Sequence, residues 1–181
     1  NTDSGAYEIV LTADIEVNQR VIFSNKNATL TVCSEGEQCT IKHTGSLTDS
    51  RDSLNWFRLE GTNLTFRNVA LKNEAAFPGS SYALICLVSS AKLNLDQCLI
   101  EGGGSSSPCV GLALWFGTSA TLTDTTIQNC YSSGINHFGG AGAYVDSASL
   151  TMNHSTIQNC TAAPNTSNNY GGGGGILLGS S

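Results

Sequence analysis

The chain has 181 residues, 40% hydrophobic and only 12% charged, with 20 Gly, 3 Pro, 7 Cys and a formal net charge of −6. That is enough for one domain with a sizeable core, and the composition is neither that of a disordered tail nor that of a collagen-like fibre. All eight basic residues lie at or before Lys92, and beyond it only Asp96, Glu101, Asp124 and Asp146 carry charge, so nucleic acid and anionic membrane are poor partners.

No apolar run approaches the roughly 20 residues needed to span a bilayer, so no membrane insertion of this segment is expected. No signal peptide is visible at Asn1, and the missing initiator Met reads as a processed chain or a fragment. Solubility rests on 22 Ser, 18 Thr and 16 Asn, short side chains that suit packed strands and tight turns. Apolar residues recur at spacing two in short bursts, not at three and four, which predicts an all-β chain.

Taken in chain order, six segments share one template: IEVNQ (15–19), CTIKH (39–43), LTFRNVALKN (64–73), LNLDQCLIEG (93–102), ATLTDTTIQNC (120–130) and LTMNHSTIQNC (150–160). The equivalent inward residues are Val17, Ile41, Phe66, Leu95, Leu122 and Met152, at steps of 24 to 30 residues, the period of one solenoid coil. Each repeat carries three apolar bursts, as in Phe57 and Leu59, then Leu64 and Phe66, then Val69 and Leu71. Three short strands per turn predict a right-handed parallel β-helix of about six to seven coils, in which winding right round replaces the helical crossover. The expected domain is a single one over 1–181, with its weakest repeat match in 1–53. Insertions fall at one place in the coil, around 44–53, 74–82, 103–109, 131–140 and 161–172, which leaves one edge ragged.

The order SLTMNHSTIQNCTA, a loop and then GGGGGILL resembles the repeats of the chlamydial polymorphic membrane proteins and of related solenoids in algae and other protists. Those repeats pair a Gly-Gly-Ala-aliphatic motif with a Phe-x-x-Asn motif. Here GGA stands at 139–141, Ile127 and Ile157 take the place of Phe, and Cys130 and Cys160 the place of Asn. The resemblance spans 111–181 most closely, extends to 54, and before that is architectural only. It implies an extracellular right-handed β-helix serving as a surface stalk or adhesin.

In a solenoid each position is read as a column. The chain stops within GGILLGSS, in the first strand of a seventh coil. A bare strand edge invites pairing, so Ile176 and Leu178 are expected at a stacking end, met by a continuation of the chain or by another subunit. A column of Asn73, Gly102, Asn129 and Asn159 lies two residues past the last inward aliphatic, where stacked amides are expected to form an Asn ladder. Five Asn-x-Ser/Thr sequons occur: Asn27, Asn63, Asn153 and Asn165 are expected to be reachable by glycans, and Asn159 to be hidden in the ladder. Cys33 and Cys39 flank a bend, and Cys130 and Cys160 share a column within disulfide reach. Cys86, Cys98 and Cys109 offer a further bridge, with Cys86 and Cys109 as its candidates, and a leftover thiol; the other reading is buried apolar thiols. The three His are not spaced with Cys as zinc ligands would be, so no metal and no cofactor is expected.

Right-handed β-helices also include pectin lyases and polygalacturonases, whose chemistry needs clustered carboxylates with calcium or a basic residue. Asp96 and Asp124 lie in adjacent coils but different columns, and no cation follows Lys92 to meet an anionic substrate; both read as solvated surface carboxylates. The run Gly171 to Gly175 precedes a strand and no helix, so it is not a phosphate loop. The Thr40, Thr65, Asn94, Thr121 and Thr151 column could order water, but the next outward column, Lys42, Arg67, Asp96, Thr123 and Asn153, is too charged for an ice-matching face. The expectation is therefore a non-enzymatic extracellular building block of a fibre, stalk or appendage. It would self-associate or meet a neighbouring β-helical segment end to end, under attached glycans. The alternative is a polysaccharide-binding or polysaccharide-cleaving pectin-lyase-like protein.

Overall fold

The structure, a computed structural model, describes residues 4–45, 55–75, 82–103, 109–132, 140–163 and 173–179, with the side chains of Tyr82 and Cys109 left aside. The chain winds six times. The first winding holds β1 (Gly5–Leu11), β2 (Ile15–Val17) and β3 (Val21–Phe23), and the second β4 (Ala28–Ser34), β5 (Cys39–His43) and β6 (Asn55–Glu60). The third holds β7 (Asn63–Arg67), β8 (Val69–Asn73) and β9 (Tyr82–Val88), and the fourth β10 (Lys92–Asp96), β11 (Leu99–Glu101) and β12 (Cys109–Leu114). The fifth comprises β13 (Ser119–Thr123), β14 (Thr126–Gln128), β15 (Tyr131–Ser132) and β16 (Ala143–Asp146). The sixth comprises β17 (Ser149–Asn153), β18 (Thr156–Gln158), β19 (Thr161–Ala162) and β20 (Ile176–Gly179).

Stacking the windings makes three parallel sheets. Sheet A is β1-β4-β7-β10-β13-β17, and sheet B is β2-β5-β8-β11-β14-β18. In sheet C, β3, β6, β9, β12, β16 and β20 pair successively in parallel, with the two-residue strands β15 and β19 alongside. The fold is thus the expected all-β parallel solenoid with three strands per coil. Three of the long insertions join a sheet B strand to a sheet C strand and the last two follow β15 and β19 within sheet C, so variable length accumulates at one edge and leaves the register elsewhere intact.

Inward side chains form unbroken apolar columns. On sheet A one runs Ile9, Val32, Phe66, Leu95, Leu122, Met152; on sheet B another runs Ile15, Ile41, Leu71, Ile100, Ile127, Ile157. Sheet C supplies Phe23, Leu59, Leu87, Leu114, Val145, Leu178. Leu71, Leu95, Leu122 and Leu114 are fully buried, each worth roughly 1.5–3 kcal/mol of transfer free energy. In the first three windings Phe23, Phe57, Phe66 and Trp56 fill the section, with Trp56 and Phe57 ring centres 4.4 Å apart.

The pairing corrects the phase expected for the first two windings. Ile41 lies on sheet B opposite Leu71, and the sheet A partner of Phe66 is Val32, whose own partner is Ile9; Val17 pairs with His43. Thr40-Ile41-Lys42 alternates as Thr65-Phe66-Arg67 does, so alternation alone does not tell one sheet from the next. The Thr column changes with it: Thr65, Asn94, Thr121 and Thr151 stack, and Thr31 takes the place given to Thr40.

Sheet A turns into sheet B through one residue held at positive φ in each of four windings: Asn68 at 55°, Gln97 at 53°, Asp124 at 48° and His154 at 47°. Short polar side chains tolerate this left-handed region best, as Asn and Asp do here. The bends stay hydrogen-bonded to the next winding, with Asn68 N–H donating to Asp96 C=O at 2.8 Å and Gln97 N–H to Thr123 C=O at 3.0 Å. One residue further on, Cys39, Val69, Cys98, Thr125 and Ser155 form a column. Cys98 Sγ donates to the carbonyl oxygens of Asp96 (3.2 Å) and Phe66 (3.3 Å); Thr125 Oγ1 does the same for Thr123 (2.9 Å) and Leu95 (3.3 Å), and Ser155 Oγ for Asn153 (2.9 Å). The hydroxyls also accept: Cys98 N–H reaches Thr125 Oγ1 at 3.2 Å and Thr125 N–H reaches Ser155 Oγ at 3.1 Å. Thiol and hydroxyl are interchangeable here as donors that close a bend.

A second correction is that none of the described cysteines Cys33, Cys39, Cys86, Cys98, Cys130 and Cys160 is bridged. Cys33 Sγ points to Glu8 Oε1 at 3.4 Å, whereas Cys39 Sγ, round the bend, points to Leu11 C=O at 3.6 Å. Cys86 pairs with Ala113 while Cys109 pairs with Tyr82. Four residues of offset along extended strands is roughly 13 Å, beyond the reach of a disulfide. Cys130 and Cys160 do stack and hydrogen-bond each other, and each thiol also lies within donating distance of the carbonyl that ends its own sheet B strand, Gln128 at 3.4 Å and Gln158 at 3.2 Å.

Candidate functional site

Where sheet B gives way to the insertions, a groove of about 640 Å³ runs along the solenoid from the third to the sixth winding. Lys72, Glu101, Asn129, Tyr131, Asn159 and Thr161 line it together with Gly102 and Gly103. Glycine is required at 102, because a Cβ there would stand 2.8 Å from both Asn129 O and Cys130 Cα.

The outward column of sheet B supplies the polar wall. Successive windings place Glu16, Lys42, Lys72, Glu101, Gln128 and Gln158 over one another. Lys72 Nζ lies 3.0 Å from Glu101 Oε2; Asn129 Nδ2 and Gln128 Nε2 donate to Glu101 Oε1 at 3.0 and 3.3 Å; Gln158 Nε2 donates to Gln128 Oε1 at 3.0 Å. Partial burial works against ionisation of Glu101. The Lys72 ammonium and the Asn129 and Gln128 amides outweigh it and hold the carboxyl below its usual value.

The amide ladder of the edge is therefore carried by Gln158, Gln128 and Glu101, one residue before the column expected to carry it. Asn73, Gly102, Asn129 and Asn159 keep their shared column, but the Asn73 and Asn129 side chains bond outside it. Asn73 is buried; its Oδ1 lies 3.2 Å from His43 Nδ1 and accepts from Ala75 N–H at 3.3 Å, while its Nδ2 has no partner among the described residues. Asn129 and Asn159 hold the bend at φ 56° and 52°. Asn159 is exposed, not hidden, which overturns the expectation for that sequon.

Among the other sequons Asn27, Asn63 and Asn153 are exposed, as expected, and Asn165 lies outside the described residues. Asp96 pairs in column with Arg67 and Thr123, while Asp124 sits on the A–B bend with His154 Nδ1 3.9 Å from its Oδ1. The structure thus keeps these two carboxylates in different columns and brings neither to the groove. In the last winding Ile176 and Leu178 pair with Ala143 and Val145 of the fifth and are 41% and 74% exposed. Lys72, Glu101, Gln128 and Tyr131 were not singled out from the sequence; the repeated TIQN at 126–129 and 156–159 was the available signal for the glutamines. No family model, curated protein or solved structure matches the chain.

Proposed function

We propose that the chain is a non-enzymatic, extracellular structural element, one length of a surface fibre, stalk or appendage that extends by coil-to-coil continuation and carries glycans. The observation that supports this reading is the continuous stack itself, six windings of one three-sided section whose inward columns run through all three sheets. Inward columns that are sealed in the middle surface as Tyr7 (46% exposed), Ile9 (49%) and Ile15 (40%) on the first winding and as Ile176 and Leu178 on the last. Both outer windings present the same three-sided section, so another coil, from a further stretch of chain or from a neighbouring molecule, would continue every column. Resemblance to the chlamydial polymorphic membrane protein repeats and their algal and protist relatives agrees with such a role. A carbohydrate-cleaving role would call for a free cation and an available carboxylate, and in the groove Lys72 and Glu101 neutralise each other.

The test is Leu178→Asp in the purified chain, with sedimentation velocity and electron microscopy reading particle length. Burial of one Leu is worth roughly 1.5–3 kcal/mol, so end-to-end association is expected to weaken at least about tenfold. Unchanged particle length, or particles that never associate in the parent chain at any concentration, would overturn the reading.

A further inference from the structure

The geometry points to Asn159 as an N-glycan acceptor whose first sugars lie along the groove, an inference that rests on the extracellular, glycosylated reading above. Within its column Asn159 alone can serve. Asn73 is followed by Glu74-Ala75 and Asn129 by Cys130-Tyr131, whereas Asn159-Cys160-Thr161 supplies the hydroxyl two residues on. Asn159 and Thr161 are both exposed, and both line the groove at its sixth-winding end. Acceptor amide and activating hydroxyl thus open onto one cleft, and a conjugate formed before folding remains compatible with the folded winding.

The transfer is a simple displacement. Asn159 Nδ2 forms a bond to the anomeric carbon of an oligosaccharyl pyrophosphate as the anomeric C–O bond breaks, and the pyrophosphate leaves with that electron pair and takes up the proton that Nδ2 gives up.

What sets this sequon apart from the other exposed ones is the seat beside it. A cleft of about 640 Å³ lies in the range that holds small ligands, roughly 300–1,000 Å³. From Asn159 it passes Tyr131, Asn129 and Glu101, with Gly102 and Gly103 also lining it. An aromatic face for the apolar side of a pyranose and amide and carboxylate groups for its hydroxyls are what an uncharged sugar uses, and the only ammonium lining the groove among the described residues is already paired with Glu101. Three winding steps at about 4.8 Å make the seat about 14 Å long, enough for more than one ring.

The experiment expresses the full chain in a eukaryotic secretory host and maps site occupancy by mass spectrometry after peptide-N-glycosidase treatment in heavy-oxygen water. Expected are an occupied Asn159, lost in Thr161→Ala, and slow endoglycosidase release of its glycan from the folded protein compared with that at Asn27. Tyr131→Ala is expected to speed that release at Asn159 by about tenfold and to leave Asn27 unchanged. Occupancy at Asn27, Asn63 or Asn153 with Asn159 empty overturns this inference and leaves the glycoprotein reading standing. An occupied Asn159 released as fast as Asn27, in parent and Tyr131→Ala alike, overturns the seat. No occupied sequon at all overturns the reading on which it rests.

Discussion

Thr125 holds three backbone groups at once, accepting from Cys98 N–H and donating toward the carbonyls of Thr123 and Leu95. It is buried, so removing the hydroxyl strands partners that water does not reach. Thr125→Val is expected to cost about 1–3 kcal/mol and Thr125→Ser much less, read from the midpoint of urea unfolding. In the same column a thiol at 98 closes its bend as the hydroxyls at 125 and 155 do, a role that composition and spacing cannot separate from a bridge. Burial pushes Cys86 and Cys98 up to about 11, whereas the hydrogen bond from Cys130 lowers Cys160 to about 7. Alkylation at neutral pH is therefore expected to mark Cys160 before the other two, followed by peptide mass spectrometry. His43 adds a pH dependence. Burial lowers its pKa, only partly opposed by the Asn73 hydrogen bond. The folded state then favours neutral imidazole, and stability is lost as pH falls below the unfolded value of about 6.5. Unfolding midpoints at pH 7.5 and 5.5 should diverge in the parent chain and converge in His43→Gln. Glu101 acts lower, its contribution present above the ordinary carboxylate range and lost as pH falls through its depressed value.

At the level of elements, β13 with β14 and β17 with β18 were the most legible, because ATLTDTTIQNC and LTMNHSTIQNC repeat both the strands and the bend between them. The first two windings were not. β4 and β5 are both short alternating strands, and the insertion between β5 and β6 lengthens the second winding, so sliding the sequence on itself matched a sheet B strand to a sheet A one. Nor was the groove legible beyond its asparagines, since the Lys72–Glu101 pair and the Gln128–Gln158 bond exist only once register stacks residues about 30 apart. Close stacking also sets the sharpest constraint on any element here. Gly102→Ala would drive a methyl into the backbone of the fifth winding, and is expected to destabilise by about 1–3 kcal/mol in the same urea assay.

Across the whole molecule, contacts run from each winding to its neighbours, so stability accumulates as nearest-neighbour terms. Residues of the third to fifth windings, such as Leu71, Leu95 and Leu122, are covered on both sides, while Tyr7 and Leu178 are covered on one. Amide exchange measured by mass spectrometry is expected to be slowest in β7, β10 and β13 and fastest in β1 and β20. Because every strand of the three main ladders points the same way, the two faces that would meet in a filament are not copies of each other. A rod of this kind has a direction, like an arrow. A subunit crippled only at Leu178 would still be received through its intact Tyr7 and Ile9 face, and would then refuse the next arrival. Small admixtures of it should poison growth from one pole alone.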